Sequence, residues 1–128
     1  MILDASAIVA IVLKEDGHEL MERKARLADA LFIGAPTALE AAMVLSARIR
    51  SDARPLIAAL LRRLGAEIVE FNQNHYEAAL TAFLRFGKGR HPAALNFGDC
   101  VSYAMAEVSG LPLLCTGNDF ARTDIQCA

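Results

Sequence analysis

The chain lacks the features that mark membrane-spanning, secreted and strongly nucleic-acid-attracting proteins. Its 128 residues contain no run of about 20 apolar residues, the length that a bilayer-spanning helix needs. The early apolar run at 5–13 stops at Lys14 and has no basic segment before it, so we expect no signal peptide. The net charge of −2 excludes general attraction of nucleic acid over the whole surface. We therefore expect a cytoplasmic protein without membrane association, in which any nucleic-acid site is local.

Cysteine is scarce, and the chain has no repeats, linkers or low-complexity segments. Cys100, Cys115 and Cys127 are odd in number, widely spaced and set among apolar residues. This pattern favours small buried side chains over a disulfide or a zinc site. A length of 128 residues favours a single domain over 1–128. Apolar residues make up 55% of the chain, which excludes disorder and is consistent with a surface covered by a partner.

Short apolar runs alternate with stretches of helical periodicity along the whole chain. Strands are predicted at 1–3, 31–33, 67–71 and 112–115, with a short edge strand at 125–127. Helices are predicted at 6–15, 18–29, 37–50, 51–64, from residue 72 or 74 to about 86, and at 98–109. This alternation predicts an α/β fold, with a parallel sheet of four to five short strands covered by helices.

Four isolated acids stand at the edge of segments, or inside segments, that otherwise have the composition of core. These acids are Asp4, Glu40, Asp99 and Asp119. Asp4 and Asp119 come just after predicted strands, so both are expected at the carboxyl edge of the sheet, where such folds bind ligands. If the fold brings all four together, they form an oxygen-rich cage for a hard divalent cation.

Each acid also has a local structural explanation. Asp4 could be the N-cap of the first helix, and Asp119 could be an ordinary turn residue. Asp99 could complement the helix dipole behind an Asn96 cap. Glu40 has capping-box spacing from Thr37, but the helix is predicted to be deeply buried and no basic residue lies within a turn of Glu40. Glu40 therefore needs a cation from elsewhere, either an arginine or a metal ion.

The order of several short motifs resembles a known family. These are Asp-Ala-Ser-Ala at the N-terminus, a Glu after Pro-Thr-Ala-Leu, Arg-Phe-Gly-Lys-Gly-Arg-His-Pro, Leu-Asn-Phe-Gly-Asp-Cys and Thr-Gly-Asn-Asp-Phe-Ala-Arg-Thr-Asp-Ile. Together they resemble the PIN-domain ribonucleases and, more narrowly, the VapC toxins of bacterial toxin–antitoxin pairs. The resemblance covers residues 1–125. It implies a three-layer α/β/α sandwich, RNA cleavage that depends on Mg²⁺ or Mn²⁺, a cognate VapB-like antitoxin as partner, and a homodimer.

The resemblance also implies roles for individual residues. Its catalytic quartet falls on Asp4, Glu40, Asp99 and Asp119, and Ser6, Thr116 and Asn118 fall in supporting positions. Metal binding is expected at Asp4, Asp99 and Asp119, with Asp4 and Asp99 as direct ligands. Glu40 and Asp119 are expected either to orient the attacking water or to complete a second metal position. The contribution of Asp124, a further acid nearby, stays open.

Two basic regions are candidates for RNA contact. The more concentrated one consists of Arg85, Lys88, Arg90 and His91. It is either a phosphate-contacting lip beside the site or a solvated helix end. The second consists of Arg48, Arg50, Arg54, Arg62 and Arg63, and we interpret it as the exposed face of two helices.

Two rival functions are compatible with acids at a sheet edge. A receiver-like phosphoacceptor domain would need adjacent acids early in the chain and a lysine after a late strand. Asp4 has no acidic neighbour, and the segment 113–119 contains no lysine. The other rival is a catalytically inactive PIN-fold binding module, in which Glu40 pairs with an arginine; metal titration distinguishes it from a nuclease.

Overall fold

The computed structural model describes residues 1–128, which form four short strands, six α-helices and one short 3₁₀ helix. The strands are β1 (Ile2–Leu3), β2 (Leu31–Gly34), β3 (Ala66–Val69) and β4 (Leu113–Leu114). The helices are α1 (Ala5–Leu13), α2 (His18–Arg26), α3 (Ala35–Ile49), α4 (Arg54–Leu64), α5 (Gln73–Phe86) and α6 (Phe97–Ser109), and the 3₁₀ helix is Phe120–Arg122.

All strand pairs are parallel, and the sheet has the order β3-β2-β1-β4. Ile2 of β1 pairs with Phe32 of β2 on one side and with Leu113 of β4 on the other. The chain therefore runs outward from β1 to β3 and then returns to the opposite side of β1. A reversal of this kind opens a crevice at the carboxyl ends of the two strands concerned, here β1 and β4.

The sheet has helices on both faces, as the predicted three-layer sandwich requires. Leu3 and Leu114 pack into a core with α1, α2, α3 and α4 on one face. Ile2 and Leu113, one residue earlier in each strand, pack into a core with α5 and α6 on the other face. This alternation follows from the two-residue period of strand side chains. None of the helices has the length and apolar character required to cross a membrane.

The predicted order of strands and helices is confirmed, with differences at some ends. The expected edge strand at 125–127 is a single bridge between Cys127 and Leu113 rather than a strand. The helix predicted at 51–64 begins only at Arg54, because its N-cap is Ala53, which makes no side-chain cap bond. The Asp52 carboxylate instead accepts from the backbone and side chain of Arg54.

Helix α3 differs most from expectation. It begins at Ala35, so Glu40 lies beyond its first turn and the capping-box pairing with Thr37 is wrong. The helix is also less buried than predicted, with Leu39 exposed by 61% and Met43 by 65%. Leu39 and Met43 therefore form an exposed apolar stripe, whereas Thr37 on the other side of the helix is buried. Glu40 is half-buried, between the exposed stripe and the buried face of the helix.

Candidate active site

Asp4 is the most enclosed of the four acids, with 6% of its surface exposed. It ends β1 and is the N-cap of α1, as its position in the sequence predicts. Its Oδ2 accepts hydrogen bonds from the backbone N–H of Ser6 at 2.9 Å and from the Ser6 hydroxyl at 2.5 Å. The Ser102 hydroxyl donates to its Oδ1 at 2.6 Å. Three donors therefore fix the orientation of this carboxylate.

Ser6 connects Asp4 to the segment after β4. The backbone N–H of Thr116 donates to the Ser6 hydroxyl oxygen at 3.0 Å. Ser6 and Thr116 thus stand beside the first acid, as the resemblance implies. Asn118 does not join them, because it is exposed and its side chain makes no hydrogen bond.

Ser102 is a site residue that reasoning from the sequence missed. Its side chain is fully buried in α6, and its hydroxyl lies 3.5 Å from that of Thr37. A signal was available, since Ser102 is three residues after Asp99 and therefore on the same face of α6. Its contact with Asp4 spans 98 residues of sequence, however, and no local pattern predicts a contact at that distance.

Asp99 stands at the start of α6 in a reciprocal capping box with Asn96. The Asn96 side chain accepts from the Asp99 N–H at 3.0 Å, and Oδ2 of Asp99 accepts from the Asn96 N–H at 2.9 Å. Burial raises the pKa of Asp99, the Asn96 N–H lowers it, and the charges of Asp4 and Asp119 add to the rise. Capping thus aims this carboxylate without cancelling the surrounding negative charge.

The Glu40 carboxylate lies directly against Gly98 of α6. A Cβ atom added at Gly98 would lie 2.5 Å from Oε1 of Glu40 and 2.7 Å from its Cδ, closer than any real contact. Burial raises the pKa of Glu40, and the charges of Asp4 and Asp99 raise it further. This direction is the one expected for a carboxylate that is partly buried beside other acids.

Asp4, Glu40 and Asp99 line one cavity of about 270 Å³ at the carboxyl edge of the sheet. Its other polar lining residues are Ser6, Glu15, Arg48, Asn96 and Thr116. Asp119 is outside this lining and exposed, although its charge reaches Asp99. Three members of the predicted quartet thus line one cavity, and the fourth, Asp119, lies outside its lining but close enough for its charge to act on Asp99.

The donor set suits a small hard cation, although no three acidic, histidine or cysteine side chains form a ready-made ligand group. Magnesium commonly binds through one or two carboxylates and fills its remaining positions with water. Asp4 is buried, Asp99 is half-buried, and both line the same cavity. Together they can supply the one or two carboxylates that magnesium needs.

The four basic residues predicted to contact RNA do not line this cavity. Arg85 forms an ion pair with Asp124 at 2.8 Å, and the guanidinium of Arg90 lies 5.3 Å from the ring centre of Phe83. The Nδ1 of His91 accepts from a backbone N–H in its own loop, and Lys88 borders a separate apolar pocket. Their role in RNA binding stays a prediction.

Asp124 is occupied by other groups. Besides Arg85, it accepts a hydrogen bond from the Tyr103 hydroxyl at 2.6 Å. Both bonds lower the pKa of Asp124, with the Tyr103 bond the larger cause. Asp124 therefore connects the C-terminal segment to α5 and α6, and it does not line the acidic cavity.

Comparison with known proteins identifies the family. The family model described as "PIN domain" matches residues 1–126. The chain is 44% identical over 127 residues to the VapC ribonuclease Mb2004c of Mycobacterium bovis, covering 98% of this chain and 91% of that protein. It is 38% identical over 125 residues to ribonuclease VapC of Mycolicibacterium smegmatis, covering 98% and 97%. The chain therefore belongs to the PIN-domain family, and its relatives are VapC proteins.

Solved structures share the fold at lower identity. VapC20 of Mycobacterium tuberculosis, described as a toxin that cleaves the sarcin–ricin loop, superimposes with a TM-score of 0.72 at 18% identity, over 97% of this chain and 95% of that one. A toxin–antitoxin complex from Klebsiella pneumoniae gives a TM-score of 0.67 at 18% identity, over 96% and 92%. The predicted three-layer fold and the PIN resemblance are confirmed, and the receiver-like alternative is wrong.

Proposed function

We propose that this protein is an endoribonuclease that cleaves RNA phosphodiester bonds with a divalent cation, and that it is the toxin of a toxin–antitoxin pair. The observation that carries the proposal is the convergence of Asp4, Glu40 and Asp99 on one cavity at the β1–β4 crevice. Relatives at 44% and 38% identity are named ribonucleases, which supports the same activity here.

Asp4 and Asp99 are the groups that would hold Mg²⁺ or Mn²⁺, with Asp119, whose charge acts on Asp99, as the third predicted metal-binding acid. A bound cation would lower the pKa of a coordinated water and stabilise charge on the phosphodiester. The chain's own part is to keep the carboxylates in position. Ser6 and Ser102 fix Asp4 through three hydrogen bonds, and the Asn96 capping box fixes Asp99.

Glu40 suits a proton-handling role. No donor in the protein bonds to its carboxylate, so both oxygens are available to water in the cavity, and its pKa is raised by burial and by the neighbouring acids. A carboxylate with a raised pKa is a better base near neutral pH than an ordinary one. Glu40 would therefore orient the attacking water and accept its proton.

Cleavage of a mixed-sequence RNA by purified protein tests the proposal. We expect cleavage with Mg²⁺ or Mn²⁺, none with EDTA, and none from Asp4→Asn. Asp29→Asn is the matched control, because Asp29 is an exposed acid just before β2, at the amino edge of the sheet and outside the cavity lining. Cleavage by Asp4→Asn at the wild-type rate, or undiminished cleavage in EDTA, would contradict a metal-dependent site.

A catalytically inactive binding module is the second candidate, favoured by the lack of a ready-made group of three metal ligands. Isothermal titration with MnCl₂ separates the two. Heat of binding that is lost in Asp99→Asn supports the nuclease, whereas no binding in either protein supports the inactive module.

We propose an antitoxin as the protein partner, since the Klebsiella pneumoniae neighbour is a toxin–antitoxin complex. An arginine from such a partner would pair well with the crowded carboxylates. Induction of the protein alone should arrest growth, and co-expression with the neighbouring open reading frame should restore it. Arrest that persists unchanged during verified co-expression would count against this partner.

We also propose a homodimer that covers Phe97, the first residue of α6, which is exposed by 84%. Beside it lies an apolar groove of about 640 Å³ that Leu39 and Met43 help to line. A two-fold axis would place each Phe97 against the groove of the other copy. Sedimentation should show a dimer that Phe97→Glu dissociates and Leu27→Glu, at another exposed leucine, does not. A wild-type monomer at micromolar concentration would refute this.

A further inference from the structure

One basic side chain lines the acidic cavity, and it is outside the basic loop that the sequence favours. Arg48 shares this lining with Asp4, Glu40 and Asp99 and is the only basic residue in it. It lies on α3, eight residues after Glu40, with Val44 midway between them and also in the lining. This spacing keeps all three on one face of the helix.

The Arg48 guanidinium is free of protein partners. It is absent from every hydrogen bond and ion pair of the structure, and the residue is exposed. The four ion pairs engage other arginines, namely Arg26, Arg54, Arg63 and Arg85. Long side chains on a helix lean toward its N-terminus, and from Arg48 that direction is toward the Glu40 end of the cavity.

A free arginine beside three carboxylates has a specific use if the substrate is a polyanion. Glu15, two residues after the end of α1, is a fourth acid in the lining, and it forms no ion pair with Arg48. A phosphate that approaches the acids is repelled by each of them, while the planar guanidinium can bind it with two parallel hydrogen bonds. Arg48 therefore offers a binding position for a phosphate at the mouth of the cavity.

We propose that Arg48 binds a backbone phosphate of the RNA next to the bond that is cleaved, and so sets the register of the strand over the acids. This inference rests on the proposed ribonuclease function. It assigns one phosphate contact to α3 beside the cavity, separate from any contact that the loop after α5 makes.

The test compares wild type with Arg48→Ala, Arg48→Lys and Arg62→Ala. Arg62 is the matched control, because it is an exposed helical arginine without an ion pair and outside the cavity. Cleavage of a fluorescent single-stranded RNA gives kcat and KM. Binding of a single-stranded DNA of the same base sequence, followed by anisotropy at several salt concentrations, gives affinity and its salt dependence without needing cleavage.

For Arg48→Ala we expect KM to rise about tenfold with a smaller change in kcat, as for the loss of a charged hydrogen bond. The slope of log Kd against log salt should fall by about 0.7, the loss of one contact to a single strand. Arg48→Lys should restore the slope but only part of KM, because lysine keeps the charge without the two-pronged geometry. Arg62→Ala should match wild type in every measurement.

The two proposals fail in different ways. If wild type cleaves RNA but Arg48→Ala matches Arg62→Ala in KM and in salt slope, the phosphate role of Arg48 is wrong and the nuclease stands. If wild type cleaves no RNA with either metal, the proposed function fails, and the salt slopes still decide whether Arg48 contacts a phosphate. A lower Tm of Arg48→Ala with unchanged KM and slope would make Arg48 a structural counter-charge and overturn the inference.

Discussion

Gly98→Ala is the sharpest perturbation that the site offers, since it moves one carboxylate by a known amount. The new Cβ would lie 2.5 Å from Oε1 of Glu40, whereas ordinary contacts begin near 3.4 Å. The carboxylate must therefore retreat by about 1 Å. A displacement of that size in a catalytic group can cost about 100-fold in rate.

The stability of Gly98→Ala, in contrast to its rate, should rise slightly or stay unchanged. Gly98 lies in the first turn of α6 and its φ is not positive, so alanine fits the backbone there. Alanine is favoured over glycine within a helix by about 0.5–1 kcal/mol. The Glu40 carboxylate has no hydrogen bond to lose when it shifts, so the displacement itself should cost little.

The assay pairs kcat for RNA cleavage at saturating Mg²⁺ with the Tm measured without metal. We expect kcat to fall by about 100-fold while Tm holds or rises slightly. The double mutant with Glu40→Ala is the control, because Gly98→Ala should cost nothing further once the carboxylate is gone. Full activity of Gly98→Ala, or losses that add in the double mutant, would refute the role assigned to this contact.

Three further predictions concern the charges and hydroxyls around the cavity. The raised pKa of Asp99 means that its contribution to stability is fully present below its unfolded pKa and is lost as pH rises through the folded pKa. Asp99→Asn should therefore lose activity, yet keep or raise the metal-free Tm at pH 7 and flatten the fall of Tm as the pH rises above about 4, the ordinary pKa of aspartate. Ser102→Ala removes a buried donor to a carboxylate and should cost about 1.5–3 kcal/mol in urea unfolding, with reduced kcat, while Ser109→Ala at the exposed end of α6 should keep kcat. Charge reversal at Lys88 and Arg90 should weaken RNA binding and flatten its salt dependence if the loop is a phosphate lip, and an unchanged slope would remove the loop from the site.

Capping and periodicity rules, which use only neighbouring residues, predicted the parts of the site that are formed by contacts within one segment. The N-caps at Asp4 and Asn96 depend on residues two or three positions apart and are as expected, and the structure adds the return bond of the Asp99 side chain to Asn96. The strand order also followed, since apolar runs alternate with helical periods. The same rules fail at Glu40, because Ala35 and Pro36 start the helix earlier than its polar residues suggest.

Contacts between distant segments supplied what the sequence could not predict. The sequence indicates only that Gly98 lies at the start of a helix. The structure shows that it contacts the carboxylate of Glu40, 58 positions earlier. Arg48 reads as one arginine among five on exposed helix faces until α3 packs beside the β1–β4 crevice. Spacing along one helix indicates which residues share a face, but only tertiary packing decides what that face meets.

Asp4, Glu40 and Asp99 differ in how firmly the protein holds them, and this difference bears on their roles. Asp4 accepts three hydrogen bonds from protein donors and Asp99 accepts one, whereas Glu40 accepts none. A carboxylate that is oriented by several neutral hydrogen-bond donors keeps its position when a cation binds, which suits a metal ligand. One that rests only against a glycine can exchange partners with water, which suits proton transfer. The ligand role of Asp4 and the proton-handling role of Glu40 therefore follow from their surroundings, although both residues carry the same chemical group.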